Sequence, residues 1–433
     1  MFKGIFIFSI LVFCLNSCSS QKNTVEDTSN SIPILVYNSE LLETLTLDKK
    51  NIKLDPPSEY LYWSQHLQNP KNNLGNISST SKFKEKKKII SGKKGMINII
   101  QPIYFMNNLC IVANDGFLEC YDTTTNDLLF KTDIKPDGVD NYEIIRGGIA
   151  YFDKRIISVD AYGQVVLVNS ENGEKVWVNN IGYPILSPPL IYRNYIYFIS
   201  SDNRIFCITL EDGSVEWSFQ TISETRKNLY TASPVVFENI IIVPFSNGDI
   251  VAFIYDTGRP IWSESLSKVT VVSNFDIKDI SASPVIYNNN LIALSSSGKL
   301  VKLNVVNGER DWSIDFSGYR TPIVSGKQIY VINDDGKLIC LDMNSGEIYW
   351  INDLGKYKKG RKVENLNLWL GPYLINDLLY SLSYFGELKI VSPISGEVLE
   401  SRNINIDKIL APPIIVNDAT YISDENSNVY KLK

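Results

Sequence analysis

The stretch Gln328-Ile329-Tyr330-Val331-Ile332-Asn333-Asp334-Asp335-Gly336-Lys337-Leu338-Ile339-Cys340-Leu341-Asp342-Met343-Asn344-Ser345-Gly346-Glu347-Ile348-Tyr349-Trp350 decides the fold. Gln328 to Ile332 is strand-length and rich in β-branched and aromatic residues. Gly336 then supplies the positive φ that a tight hairpin needs. Lys337 to Asp342 reads as a second strand, Asn344-Ser345-Gly346 as a second turn, and Glu347 to Trp350 as a strand running outward. Pro322 suits the first residue of a preceding strand, where its missing N–H costs nothing. Four antiparallel strands in about 40–50 residues make one β-propeller blade.

The same distances recur along the chain. Gly116, Gly163, Asn203, Gly248, Gly298, Gly336 and Gly386 are each followed, ten residues on, by Asn126, Gly173, Gly213, Gly258, Gly308, Gly346 and Gly396. Four residues further stand Phe130, Trp177, Trp217, Trp262, Trp312 and Trp350, and only Glu400 breaks the series. Fourteen residues before the first turns lie Pro102, Pro189, Pro234, Pro284, Pro322 and Pro372, with Ile149 in their place in the second unit. An eighth unit starts at Pro413 and puts Ser427 at the turn. The connectors from each Trp to the next Pro absorb the length variation. The prediction is an all-β, eight-bladed propeller of four-stranded antiparallel blades. The eighth unit ends at Lys433 after three strands, so an N-terminal strand must complete the last blade. Tyr60-Leu61-Tyr62-Trp63-Ser64 is the predicted strand, which makes Trp63 a sixth repeat tryptophan. Trp369 falls outside the repeat and is expected to be a packed loop anchor.

Composition restricts the chemistry. A chain of 433 residues suggests about three domains from length alone. The repeat overrides that, because one ring uses residues 60–433 at about 47 per unit. Forty-two basic against 48 acidic side chains give a net charge of −6, so no nucleic-acid partner is expected. A single histidine, His66, excludes zinc sites built on several imidazoles and leaves a nucleophilic centre one possible base. His66 has no partner cluster in sequence and reads as structural. The apolar run Gly4 to Leu15 is too short to span ~30 Å of hydrocarbon and suits a secretory signal. The predicted organisation is a lipoprotein signal peptide over 1–17, a lipidated polar tether over 18–58 and the propeller over 59–433.

Two motifs carry a family resemblance. Leu15-Asn16-Ser17-Cys18 resembles the lipobox of bacterial lipoproteins, which implies diacylation of Cys18. Ser19, where an Asp would imply inner-membrane retention, points to the periplasmic face of the outer membrane. The run Gly-x-Leu/Ile-x-Ala/Cys-Leu followed by Gly-x-x-x-Trp resembles the PQQ-type propeller repeat across about 60–433. Together these features resemble the lipoprotein subunits of the outer-membrane β-barrel assembly (Bam) machinery. The resemblance implies a non-enzymatic scaffold, without cofactor or metal, that binds the periplasmic domains of the barrel-assembly protein. The alternatives are a periplasmic PQQ-dependent dehydrogenase and an envelope propeller that binds a small ligand.

In the resembling proteins, the connectors entering two neighbouring middle blades meet the partner. Their counterparts are Ser223 to Ala232 and Thr270 to Ala282, with Arg226, Asn228, Leu229, Asp279 and Ser281 as candidate contacts. Asp279 keeps the family's acid, whereas Arg226-Lys227-Asn228-Leu229 departs from the family's order; the bland alternative for Asp279 is an exposed loop acid. Quinoprotein dehydrogenases usually carry adjacent cysteines, a calcium site and a catalytic Asp. No two cysteines are adjacent here, and Asp160, Asp202 and Asp335 fall at hairpins where Asp is an ordinary turn residue. Cys120, Cys207 and Cys340 occupy the slot that Ala252 fills elsewhere, so they read as small buried residues. Cys110 and Cys120 flank the Gly116 hairpin and are either free or paired. Lys82, Lys84, Lys86, Lys87, Lys88, Lys93 and Lys94 form a basic run in the connector between Trp63 and Pro102. It reads as a solvated loop, or as a contact for anionic head groups or an acidic partner.

Overall fold

The structure is a computed structural model describing residues 52–92, 99–139, 142, 146–223, 232–267, 279–358, 366–416 and 418–433. Cys18 and the candidate contacts Arg226, Asn228 and Leu229 lie outside the described residues. Eight antiparallel four-stranded blades are present, as the repeat predicts. Blade 1 runs from inner strand Ile103–Phe105 to outer strand Leu128–Asp133, blade 2 from Gly147–Phe152 to Lys175–Asn180, and blade 3 from Leu190–Tyr192 to Val215–Gln220. Blade 4 runs from Val235–Phe237 to Pro260–Ser265 and blade 5 from Val285–Tyr287 to Arg310–Asp315. Blade 6 runs from Ile323–Ser325 to Ile348–Asp353 and blade 7 from Trp369–Ile375 to Val398–Asn403.

The predicted turn residues all perform their expected role. Gly336 and Gly346 have φ of 71° and 76°, and the non-glycine substitutes Asn126, Asn203 and Ser427 also lie at positive φ, between 60° and 67°. The small-residue slot sits directly opposite the tryptophan on the adjoining strand: Cys207 faces Trp217, Ala252 faces Trp262 and Cys340 faces Trp350. A bulge follows immediately in each of these pairs, which bends the outer strand and re-aims the indole. Cys110 and Cys120 are paired across their hairpin as a disulfide, which resolves their role.

The re-aimed indole docks on the next blade. Nε1 of Trp177, Trp217, Trp262, Trp312 and Trp350 donates to the carbonyls of Leu210, Tyr255, Val305, Met343 and Pro393. Each acceptor stands three residues before that next blade's second-turn glycine, whose bare Cα faces the ring. A Cβ at Gly258 would lie 2.5 Å from Cδ2 of Trp217, and the residue also holds φ +65°. Gly258→Ala is therefore expected to destabilise the ring by roughly 2–4 kcal/mol, combining overpacking with left-handed strain. A urea midpoint within error of the wild type would contradict this inter-blade tie.

The closing strand corrects the sequence reading. Blade 8 comprises Ile414–Val416, Ala419–Ser423 and Val429–Leu432, and its outer strand is Lys86–Ile90 from the basic run. Closure by an N-terminal strand holds, but residues 60–65 are not that strand, and Trp63 is not a repeat tryptophan. Trp63 instead forms an isolated bridge with Tyr104 of the blade 1 inner strand and is fully buried. The body also begins earlier than residue 59. Ile52 is buried, the Asp55 N–H donates to Ser325 Oγ, and the Gly326 N–H donates to the Asp55 carboxylate at 2.8 Å. Trp369 is buried as an anchor, but it opens the blade 7 inner strand rather than lying in a loop. Its Nε1 donates to Gly355 O.

Candidate partner-binding site at the channel mouth

Connectors and first turns share one face of the ring. The N–H of Ile134 donates to Gly116 O, that of Phe316 to Gly298 O, and that of Leu354 to Gly336 O, so each connector leaves its blade bonded to that blade's first turn. The second turns bond to the turns that follow the inner strands, as Tyr255 N–H does to Asn239 O, and these lie on the opposite face.

Residues 63–79 cross the inner strands one after another. The Tyr151 N–H of blade 2 donates to Ser64 O, and the Ile191 N–H of blade 3 to Gln65 Oε1. The Val236 N–H of blade 4 donates to Pro70 O and the Ile286 N–H of blade 5 to Lys71 O. Asn73 bonds to Val324 of blade 6, residues 76–77 add a parallel strand to blade 7, and Ser79 Oγ donates to Val416 O of blade 8. Asn72, 1% exposed, donates to the carbonyls of Pro234 and Pro284, each at 3.2 Å. Inner strands of a propeller present unpaired peptide groups to the channel, and such groups are costly if buried without partners. The amides of Gln65, Asn72 and Asn73, with the carbonyls of Ser64, Pro70 and Lys71, meet that demand. The sequence reading missed this plug; its signal was the density of Asn and Gln between residues 65 and 76.

The plug leaves a chamber of about 100 Å³ open toward the connector face. Its floor includes His66 and Leu67, and its walls include Arg146, Ser281 and Arg320. Arg146 and Arg320 are further residues that sequence reasoning did not single out. Burial pulls the Arg146 guanidinium below its ordinary range, and Asp279 opposes that shift. Asp279 is 5% exposed and Ser281 likewise, so Asp279 is not an exposed loop acid. The Ser296 N–H donates to Asp279 O, and the Ser281 and Ser296 hydroxyls are 3.2 Å apart. The two candidate contacts that the structure describes are thus built into the inner rim of the mouth.

His66 is lowered to about 4 by burial, with a Gln101 hydrogen bond opposing. In the unfolded chain the imidazole titrates near 6.5. Below that pH the unfolded state binds a proton that the folded state refuses, so stability falls as pH drops from about 6.5 to about 4 and is unaffected above. The expected loss is up to about 3 kcal/mol. His66→Gln should flatten denaturation midpoints across that window; an unchanged slope would place the pH dependence elsewhere.

The chamber is small for the quinone that the repeat family suggests. Ligand pockets hold about 300–1,000 Å³, and this one holds about 100 Å³. Among the described residues no Trp, Cys, Asp or Glu lines it, and no group of three or more His, Cys, Asp or Glu could hold a metal. The residues present do not fit that cofactor. Asp160 instead accepts from the Tyr142 hydroxyl and the backbone of Tyr162 and Gln164, Asp202 pairs with Arg204, and Asp335 pairs with Lys356. These are the turn roles expected of them. Cys207 and Cys340 are buried thiols pushed up by burial, Cys207 to about 12, and neither is a nucleophile at neutral pH.

Comparison with known proteins places the chain. A protein named outer membrane protein assembly factor BamB from Nitrosomonas eutropha is 22% identical over 220 residues, covering 51% of this chain and 52% of that one. The Yersinia pestis protein of the same name is 20% identical over 190 residues, covering 43% and 48%. The aligned stretch is thus about half the length of these relatives. Among solved structures, BamB from Moraxella catarrhalis matches with a TM-score of 0.67 at 17% identity, covering 81% of this chain and all of that one. A europium-containing methanol dehydrogenase matches with the same TM-score of 0.67 at 12% identity, covering 83% and 89%. These two likenesses establish the fold alone, since one fold hosts unrelated functions. The discriminating match is a sequence-family model described as outer membrane protein assembly factor BamB, which aligns with residues 114–352. That span is more than half of the chain and contains four of the five indole-to-turn ties in full, and on it the protein belongs to the outer membrane protein assembly factor BamB family.

Proposed function

We propose that this protein is a non-enzymatic, lipid-anchored scaffold subunit of the outer-membrane β-barrel assembly machinery. It is held at the periplasmic face of the outer membrane through Cys18 and binds the periplasmic domains of the barrel-assembly protein. The observation that carries the reading is the plugged channel in a chain of this family. A fold shared with quinone enzymes has its channel crossed by residues 63–79, and the chamber left on the connector side holds only about 100 Å³. What is left to act is a rigid ring with connectors of unequal length, and loops on a rigid scaffold are where binding concentrates.

The contacts are assigned to the connectors entering blades 4 and 5, through Arg226, Asn228, Leu229 and the rim around Ser281. Asp279 is a positioning residue that answers Arg146 and holds the second connector against blade 5. Pairing of a partner strand with an outer blade edge is a compatible mode. The test is capture of a C-terminally tagged full chain from detergent-solubilised envelopes. Recovery of the barrel-assembly protein is the expected result. Its absence, or dye reduction by the purified chain with PQQ and calcium, would overturn the scaffold reading.

A further inference from the structure

The basic run is absorbed neither by ring closure nor by the channel. Closure needs one strand with an exposed edge, and lysine on an edge strand is a common device against edge-to-edge aggregation. The other seven outer strands manage that edge with at most one Lys or Arg each. The blade 8 strand carries Lys86, Lys87 and Lys88 in succession, all exposed. Lys82 and Lys84 precede it, exposed as well, Lys431 lies on the neighbouring strand and Lys433 directly follows that strand.

The strip is firmly seated. Phe83, 3% exposed, stacks on Tyr380 of blade 7 at 5.2 Å. The Lys84 and Glu85 N–H groups both donate to Lys433 O. Lys86 and Lys88 hold their ammonium groups 5.6 and 6.0 Å from the Tyr430 ring, on the same side of the blade. Among the described residues none of these seven lysines forms an ion pair. Burial lowers the Lys431 ammonium; Asp418 opposes the shift, while Lys433 and Lys87 add to it. This concentration of positive charge sits on a chain whose net charge is −6. The body as a whole is repelled by an anionic surface while this sector is attracted, so the strip favours an orientation.

We propose that the rim of blade 8, centred on Lys82, Lys84, Lys86, Lys87, Lys88, Lys431 and Lys433, docks on the anionic phospholipid head groups of the membrane to which the chain is tethered. This rests on the lipid-anchored reading above, which supplies the membrane's proximity. Blade 8 stands half a turn of the ring from blade 4, so docking there turns the connectors entering blades 4 and 5 away from the lipid. Head-group charge is the complementary chemistry, worth about fivefold in binding per lysine near the surface.

The test uses the mature chain 18–433 carrying Cys18→Ser, without acyl chains, sedimented with vesicles. Phosphatidylglycerol–phosphatidylethanolamine vesicles are compared with phosphatidylcholine vesicles. The expected result is sedimentation with the first only, lost at high salt. Replacing Lys84, Lys86, Lys87 and Lys88 by Gln should weaken it at least about a hundredfold. Lys87→Gln with Lys88→Gln alone should weaken it roughly twentyfold, which keeps the test open if the fourfold variant misfolds. Lys154→Gln, Lys175→Gln and Lys327→Gln, exposed elsewhere, should leave it unchanged. Equal sedimentation with both vesicle types would overturn the proposal, as would undiminished binding by the folded lysine variants. Retention on an acidic polypeptide without vesicle binding would replace it with a protein partner. None of these outcomes bears on anchoring by Cys18, which is read from the lipidated chain.

Discussion

Trp63→Ala is expected to destabilise the propeller by about 3–5 kcal/mol, the usual cost of truncating a fully buried indole. The side chain is 0% exposed and packs in the cluster that joins blades 1, 6, 7 and 8. Tyr60 meets it edge-on at 6.2 Å, and the backbones of Trp63 and Tyr104 exchange hydrogen bonds at 2.7 and 2.9 Å. Nε1 has no hydrogen-bond partner among the described residues, so the loss is one of packing rather than of a polar contact. The damage should not remain local. Trp63 is where the plug enters the ring, and the bonds from Ser64 to Ser79 depend on that entry. Trp63→Phe should retain most of the stability. Urea denaturation followed by circular dichroism separates the two variants. A Trp63→Ala midpoint within about 1 kcal/mol of wild type would mean that the segment lies on a ring that is stable without it.

Cys18→Ala, exported behind a signal cut by the general secretory peptidase, is expected to move essentially all of the protein from the membrane pellet to the soluble periplasmic fraction. Each buried CH₂ contributes about 0.8 kcal/mol, and one acyl chain alone holds a protein only marginally, so two or three are needed for stable attachment. Fractionation at high salt makes the comparison clean, because it removes any residual attraction by the lysine strip. Retention of the variant in the high-salt pellet would contradict the lipobox reading of Leu15-Asn16-Ser17-Cys18.

Most of the ring was legible because a blade is a local object. Turn chemistry needs a residue that tolerates positive φ, and Gly116 to Gly396 recur at the interval one strand requires. The count of eight, the antiparallel order and the incomplete final blade follow from those distances. The candidate site was less legible. Asp279 was identifiable as the family's acid, but its burial beside Arg146 comes from blades 2 and 5, whose approach no spacing records. Arg146 and Arg320 carried no motif at all.

The chain by itself determined the blade, its number and its turn residues, because each depends on backbone geometry within about 50 residues. Only the tertiary structure decided which segment fills the open edge of blade 8. Tyr60 to Ser64 has the better strand composition, yet Lys86–Ile90 takes the edge. The reason is competition. The eight inner strands need polar partners along the channel, and residues 63–79 supply them from backbone groups and from the amides of Gln65, Asn72 and Asn73, while the Trp63 indole fills the apolar cluster beside blade 1. The repeat tryptophans teach the same point from the other side. Their spacing is written within one blade, but the glycine and carbonyl they meet belong to the next, so their purpose exists only once the ring has closed.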